Sequence, residues 1–211
     1  MTRKNLVVLG AAGRTGRLIV EEALRAGHRV TAAVRTPENF PSTADPGLRV
    51  ARADVRDPGG LHDVIAGHDV VVSAVGPTGR KAHGLYSDGA RATVAAMRTT
   101  GVRRYLGITS VGVRHDDPHA PWWYRGLIRP IGIDLYTDMR RMEEIVRATD
   151  LDWTFVRPTY LQDREPVGTF RVADNVTPAG GWKITRGDVA RFIVEEIERG
   201  RFSRRAPSLA E

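Results

Sequence analysis

Asn5-Leu6-Val7-Val8-Leu9-Gly10-Ala11-Ala12-Gly13-Arg14-Thr15-Gly16 decides how the rest of the chain is read. Five residues of strand character run without a break into glycines three apart, and apolar residues then recur at helical period from Thr15 to Ala26. Gly10 permits a sharp turn off the strand, Gly13 lets backbone approach a bound group with no side chain between, and Gly16 lets the helix pack close. The amides of the opening helical turn, around Arg14 and Thr15, have no intrahelical partner and carry the positive end of the helix dipole. Such a turn is suited to a phosphate, most simply the pyrophosphate of a dinucleotide. No Gly-Lys-Ser/Thr ending follows, which argues against a triphosphate loop; a glycine-rich connecting turn is the plainer alternative.

Outward from this turn, short apolar runs alternate with helix-period stretches. The pattern predicts strands over Asn5 to Leu9, Arg29 to Val34, Leu48 to Ala53, Asp69 to Ala74, Arg104 to Thr109 and Asp152 to Val156. It predicts helices over Thr15 to Ala26, Pro58 to Ala66, Ser87 to Thr100, Thr137 to Thr149 and Asp188 to Glu198, the last with Asp188 as an acidic N-cap. The expected fold is a single α/β domain over residues 1–211: a Rossmann-like, doubly wound parallel sheet in three layers, with residues 157–211 forming the substrate side. One long irregular segment, Val111 to Leu135, holds Trp122, Trp123 and Tyr124. Three adjacent aromatics suit a substrate-covering or oligomer-contact loop, with Trp123 as a substrate contact.

The tips of the strands carry the remaining candidates. Arg35 ends the second strand, where proteins that bind NAD usually place an acid on the ribose; an arginine there suits a 2′-phosphate, so NADP(H) is expected over NAD(H). Asp54 ends the third strand, as an adenine contact or equally as a turn residue. Small residues over Ser73-Ala74-Val75-Gly76 leave room for a cofactor ribose across the fourth tip.

Composition closes off other chemistries. The 211 residues include no cysteine, which excludes disulfides, thiolate metal sites and cysteine nucleophiles. The formal charge is +7, and of 32 basic residues only Lys4, Lys81 and Lys183 are lysines. The arginines are scattered; the densest group, Arg199-Gly-Arg-Phe-Ser-Arg-Arg205, reads as a frayed, solvated tail, with a nucleic-acid contact as the sharper and less favoured alternative. His115 and His119 have metal-ligand spacing, but Pro118 opposes the helix that would align them, so no metal is expected. No apolar run approaches the ~20 residues that span a bilayer, and the opening residues read as a strand rather than a leader, so a cytoplasmic protein without membrane contact is expected.

Taken with Ala53-Asp54-Val55, Ile108-Thr109-Ser110, Ser87-Asp-Gly-Ala-Arg91 and Leu151-Asp-Trp-Thr-Phe-Val-Arg157-Pro158, the glycine turn resembles the atypical, NmrA-like branch of the short-chain dehydrogenase/reductases. Within it the similarity is greatest to the biliverdin reductase B, or flavin reductase, type. The resemblance covers nearly the whole chain. It implies Gly10, Gly13, Arg14 and Thr15 at the pyrophosphate, Arg35 at the 2′-phosphate, Asp54 and Val55 near adenine, and Val75 and Gly76 along the ribose. It places Ser110 near the nicotinamide and Pro158 and Tyr160 close to the substrate.

Many members of that superfamily pair a serine with Tyr-x-x-x-Lys, the lysine lowering the tyrosine pKa. Here Ser110 is followed by Tyr136-Thr-Asp-Met-Arg140, with arginine in place of the lysine and Met139 where relatives often carry one in another alignment. Arginine cannot practically exchange a proton. Ser110 and Tyr136 are therefore the catalytic candidates, against a strand-end hydroxyl and a packing aromatic as the plain alternatives. The reading is an NADPH-dependent reductase of planar conjugated acceptors such as flavin, quinone or a biliverdin-like tetrapyrrole, which need little acid help. The competing reading is an NADP(H)-binding redox sensor without turnover; a nucleotide-sugar-type modifying enzyme would need a larger substrate domain. A small-molecule acceptor is the expected partner, and the chain is expected to be a monomer or a homodimer.

Overall fold

The computed structural model describes residues 2–41, 44–79, 81–120, 126 and 132–211. Six parallel strands, β1 (Asn5–Leu9), β2 (Arg29–Val34), β3 (Leu48–Arg52), β4 (Val70–Ser73), β5 (Arg104–Ile108) and β6 (Asp152–Pro158), lie in the order 3-2-1-4-5-6. The sheet continues through β10 (Pro207–Ala210), parallel to β6, to β8 (Arg171–Asp174), antiparallel to β10. A separate ribbon pairs β7 (Tyr160–Gln162) with β9 (Lys183–Thr185). The doubly wound, three-layer α/β architecture expected from the sequence is the one found.

Alternation along β1 explains the layers. Leu6 and Val8 face the core formed with α1 (Arg14–Arg25) and α5 (Arg186–Arg199); Val7 and Leu9 face the core formed with α2 (Pro58–Ile65), α3 (Leu85–Thr100) and α4 (Ile133–Arg147). All four are fully buried, as a central strand covered on both sides requires. Helix α1 sends Gly16, Ile19, Val20 and Ala23 inward, the spacing of a single face. Its partner α5 brings Phe192, which meets Phe170 edge-on at 6.1 Å between ring centres.

Boundaries depart from expectation where tertiary contacts act. Asp188 is not the cap of α5: Thr185 is, its Oγ1 accepting from the Asp188 amide at 3.0 Å and donating to Asp188 Oδ2 at 2.7 Å. Helix α4 begins at Ile133, ahead of Thr137, with no side-chain cap. Its first turns are instead anchored outside the helix, Asp134 accepting from the Ala82 amide at 2.7 Å and Asp138 from the Tyr86 amide at 2.9 Å. The arginine-rich terminus is not frayed. Arg199, Arg201, Arg204 and Arg205 are exposed, but they lead into β10, buried throughout between β6 and β8. Four residues, Pro-Ser-Leu-Ala, are too few to show a period, and their burial comes from neighbours far away in sequence. Among the described residues no helix is long and apolar enough to cross a membrane.

Candidate functional site

The order 3-2-1-4-5-6 reverses direction between β1 and β4, and a crevice forms beyond the strand ends at such a point. Gly10 sits there with φ +76°; a Cβ on it would lie 2.9 Å from the backbone of Ala74 and Val75 at the end of β4. Both the left-handed backbone and the close approach exclude any side chain. Gly16 answers to the loop rather than to the sheet, for its Cβ would fall 2.3 Å from the Gly10 carbonyl oxygen and 2.9 Å from the Ala11 Cα. Gly13 is the N-cap of α1, its amide donating to the Gly10 carbonyl at 3.0 Å, and it offers no side chain to cap the helix. The first turn, beginning at Arg14 and Thr15, also lacks an acidic residue, so its amides and dipole are left for an external anion. Compact glycines and uncapped amides fit a dinucleotide diphosphate.

The other tips lie along the same edge. Arg35 is exposed just beyond β2, and its carbonyl accepts from Arg52 Nη1 at 3.2 Å. Arg52, at the end of β3, also pairs with Glu38 at 2.7 Å and adds a second guanidinium beside Arg35. Sequence reading missed it, although its position two residues before Asp54 was the available signal. Asp54 adopts the turn role: its Oδ1 accepts from the Arg56 amide at 2.9 Å, while the residue stays exposed. Val55 and Val75 are half-buried against the core, and Gly76 is exposed above the Tyr86 hydroxyl. Burial, reinforced by Asp138 and then Tyr136, pushes the Tyr86 hydroxyl pKa well above the ordinary tyrosine range. Tyr86 is therefore a neutral phenol.

At the end of β5 two adjacent hydroxyls do different work. Ser110 caps a short 3-10 helix, Val111–Val113, its Oγ accepting from the Gly112 amide at 3.2 Å. This is the local backbone bond of the plain reading, but it uses only the oxygen and leaves the O–H to donate. Thr109, buried, donates from Oγ1 to Glu143 Oε1 at 2.8 Å. Glu143 also takes Arg157 Nε at 2.9 Å and Nη2 at 2.5 Å, a two-pronged pair buried between α4 and β6. Arg157 Nη1 completes the set by donating to Asn175 Oδ1 at 2.7 Å.

Tyr136 and Arg140 do not assemble the tyrosine–lysine arrangement. Arg140 Nη2 and Nε donate to the Val113 carbonyl at 2.8 and 3.3 Å, and Arg140 lines a cavity of about 300 Å³ with Val113, Arg114, Glu143, Arg157 and Asn175. Tyr136 is half-buried and lies back over Gly132, whose Cβ would meet its ring at 2.8 Å. Met139, the other position where a lysine was sought, is core. Pro158 ends β6, buried opposite Leu209 of β10, and Tyr160 is 64% exposed at the start of β7. Trp123 lies outside the described residues. His119 Nδ1 lies 2.6 Å from the Thr177 carbonyl oxygen, and among the described residues no group of metal-ligating side chains forms.

Solved structures with the same architecture span essentially the whole chain. A Burkholderia pseudomallei protein described as a candidate exported protein is 30% identical, with a TM-score of 0.81 over 99% of this chain and 100% of its own. A Streptococcus pneumoniae protein described as a candidate NADH-flavin reductase is 25% identical, with a TM-score of 0.78 over 99% of each chain. A short-chain dehydrogenase/reductase from Veillonella parvula, solved in complex with NADP, is 17% identical with a TM-score of 0.86 over 100% of this chain and 95% of its own, a likeness of fold. The sequence profile described as NAD(P)H-binding matches residues 10–199, from the glycine turn to the end of α5. The chain belongs to that NAD(P)H-binding family.

Proposed function

We propose that this protein is an NADPH-dependent reductase that passes hydride to a planar conjugated acceptor: a flavin, a quinone or a biliverdin-like tetrapyrrole. The observation that carries the reading is the uncapped glycine turn at the switch point, with a serine hydroxyl free to donate at the end of β5 and, among the described residues, no formed tyrosine–lysine pair. NADPH when bound supplies the hydride, and the chain has to hold donor and acceptor face to face and manage one proton. Gly10, Gly13, Arg14, Thr15 and Gly16 would seat the diphosphate. Arg35, with Arg52 beside it, would take the 2′-phosphate. Val55, Val75 and Gly76 would lie under the adenosine and ribose, with Asp54 at the adenine edge.

Ser110 would donate its O–H to the carboxamide or to the acceptor, and Pro158, Tyr160 and Trp123 would border the acceptor. An acceptor that spreads negative charge over a conjugated ring needs no strong acid, which agrees with an Arg140 committed to the Val113 carbonyl. The similarity to the Streptococcus pneumoniae protein supports the flavin member of the acceptor class. A cytoplasmic location, a monomer or homodimer and no nucleic-acid partner belong to the same reading.

The test is NADPH oxidation against a panel of flavins, quinones and linear tetrapyrroles, with binding of NADPH and NADH measured separately. Acceptor-dependent oxidation is expected. Tight NADPH binding with no turnover on any acceptor would overturn the reductase in favour of a redox sensor. Arg35→Ala is expected to weaken NADPH by about tenfold, as loss of a charge-assisted contact implies, and NADH little. Equal losses would overturn the assignment of the 2′-phosphate.

A further inference from the structure

Asp163 accepts from two arginines at once. Its Oδ2 takes Nη1 of Arg14, in the first position of α1, and its Oδ1 takes Nη1 of Arg186, in the first position of α5, at 2.8 Å. The two halves of this bridge arrive from the same ribbon. Gln162 of β7 pairs with Thr185 of β9, so the residues that follow them, Asp163 and Arg186, leave the ribbon side by side. Thr185 and Asp188 then lock the turn that carries Arg186, Asp188 also accepting from the Val167 amide at 3.0 Å and the Gly168 amide at 2.9 Å.

The three side chains are unequally placed. Arg186 is only 12% exposed, whereas Asp163 is 52% exposed and Arg14 71%. Burial, then the neighbouring Arg14 charge, holds the Arg186 guanidinium below the ordinary arginine range, and Asp163 offsets only part of this. One carboxylate serves two guanidiniums, so the group keeps a positive charge in excess at the opening of α1, where the helix dipole adds to it. Each guanidinium gives Asp163 a single N–H out of five. A carboxylate shares one charge between the two arginines, whereas a diphosphate would bring a phosphoryl group to each.

We propose that Arg186 is a second arginine of the diphosphate site and that Asp163 is an internal anion which gives up both guanidiniums when a dinucleotide binds. The inference rests on the reading of the glycine turn as a diphosphate seat. Because the diphosphate is common to both dinucleotides, Arg186 acts on NADPH and NADH alike, unlike Arg35.

Titration calorimetry with NADPH, NADH and ADP against the full chain tests it, with adenosine as the ligand that lacks a diphosphate. Asp163→Asn is expected to tighten NADPH, NADH and ADP by about three- to tenfold by removing the competing charge, leaving adenosine unchanged. Arg186→Gln is expected to weaken the same three by about tenfold, and Arg186→Lys to restore part of the loss as a point charge. Thermal unfolding of each variant accompanies the titrations, and Asp163→Ser is the second variant if Asp163→Asn does not fold. Should Asp163→Asn bind the dinucleotides no more tightly than wild type, the bridge is a fixed strut and the proposal is overturned while the glycine turn stands. Should wild type bind neither dinucleotide nor ADP, the diphosphate seat fails first and this proposal with it.

Discussion

The glycine turn after β1 and the Glu143–Arg157 group between α4 and β6 stand at the same edge of one sheet, yet they are built by opposite means. In the turn, close backbone packing does the shaping: Gly10 at φ +76° presses on Ala74 and Val75, and Gly16 on the turn itself. Between α4 and β6, side chains meet across distance in sequence, with Glu143 taking Thr109, Arg157 and Arg147. The opening amides of α1 have no side-chain cap, and this leaves them for a ligand. The Glu143–Arg157 pair is spent on its own partners even where it lines a cavity, and its contribution is to fix the strand ends that carry Ser110 and Pro158. The difference separates the proposed binding seat from what holds that edge of the sheet in place.

The strongest way to break this contrast is Glu143→Ala. It leaves Arg157 buried without its carboxylate, and a loss of about 3–5 kcal/mol in denaturant unfolding is expected, with NADPH affinity preserved in the molecules that remain folded. Intact stability with lost turnover would instead make Glu143 a participant in chemistry. Next is Gly10→Ala, where a left-handed backbone and a 2.9 Å clash with fixed backbone coincide. About 1–3 kcal/mol of stability should go, and dinucleotide binding more completely than stability; calorimetric titration alongside thermal unfolding separates the two.

Smaller still is Tyr136→Phe, expected to change NADPH oxidation less than about threefold, because Arg140 is bonded elsewhere. A fall of about a hundredfold or more, the range of general acid catalysis, would return the tyrosine to the mechanism. The smallest effect concerns His28, buried with Nδ1 accepting from the Lys4 amide at 3.3 Å and Nε2 3.6 Å from Glu198. Burial lowers its pKa below 6.5, only partly offset by Glu198. The folded state then binds fewer protons than the unfolded state, so this contribution to stability is full above pH 6.5 and is lost as pH falls through the folded pKa. Thermal unfolding of His28→Asn across that range should show a flatter profile than wild type.

How much could be read in advance follows the same division. Strands β1 to β6 and the cores on both sides were legible because β-branched and aliphatic runs alternate with helical period, and Gly27 and Gly101 end helices with the positive φ their positions suggest. The glycine turn was legible because steric demand leaves glycine few substitutes. Asp163, Arg186 and Arg52 were not, for an arginine in a chain this rich in arginine announces nothing until its partner is known. Strands β7 to β10 were missed because three or four residues show no period, and their pairing is decided by residues about twenty to fifty positions away, the Thr159 amide on the Leu209 carbonyl being at the far end of that range.

That last pairing has a consequence for how the molecule is made. Without residues 207–210, β6 has an unpaired edge and β8 has nothing to join, so the sheet carries an adhesive flank until they dock. A chain truncated before Pro207 would keep strands β1 to β6 but expose a border that invites another copy.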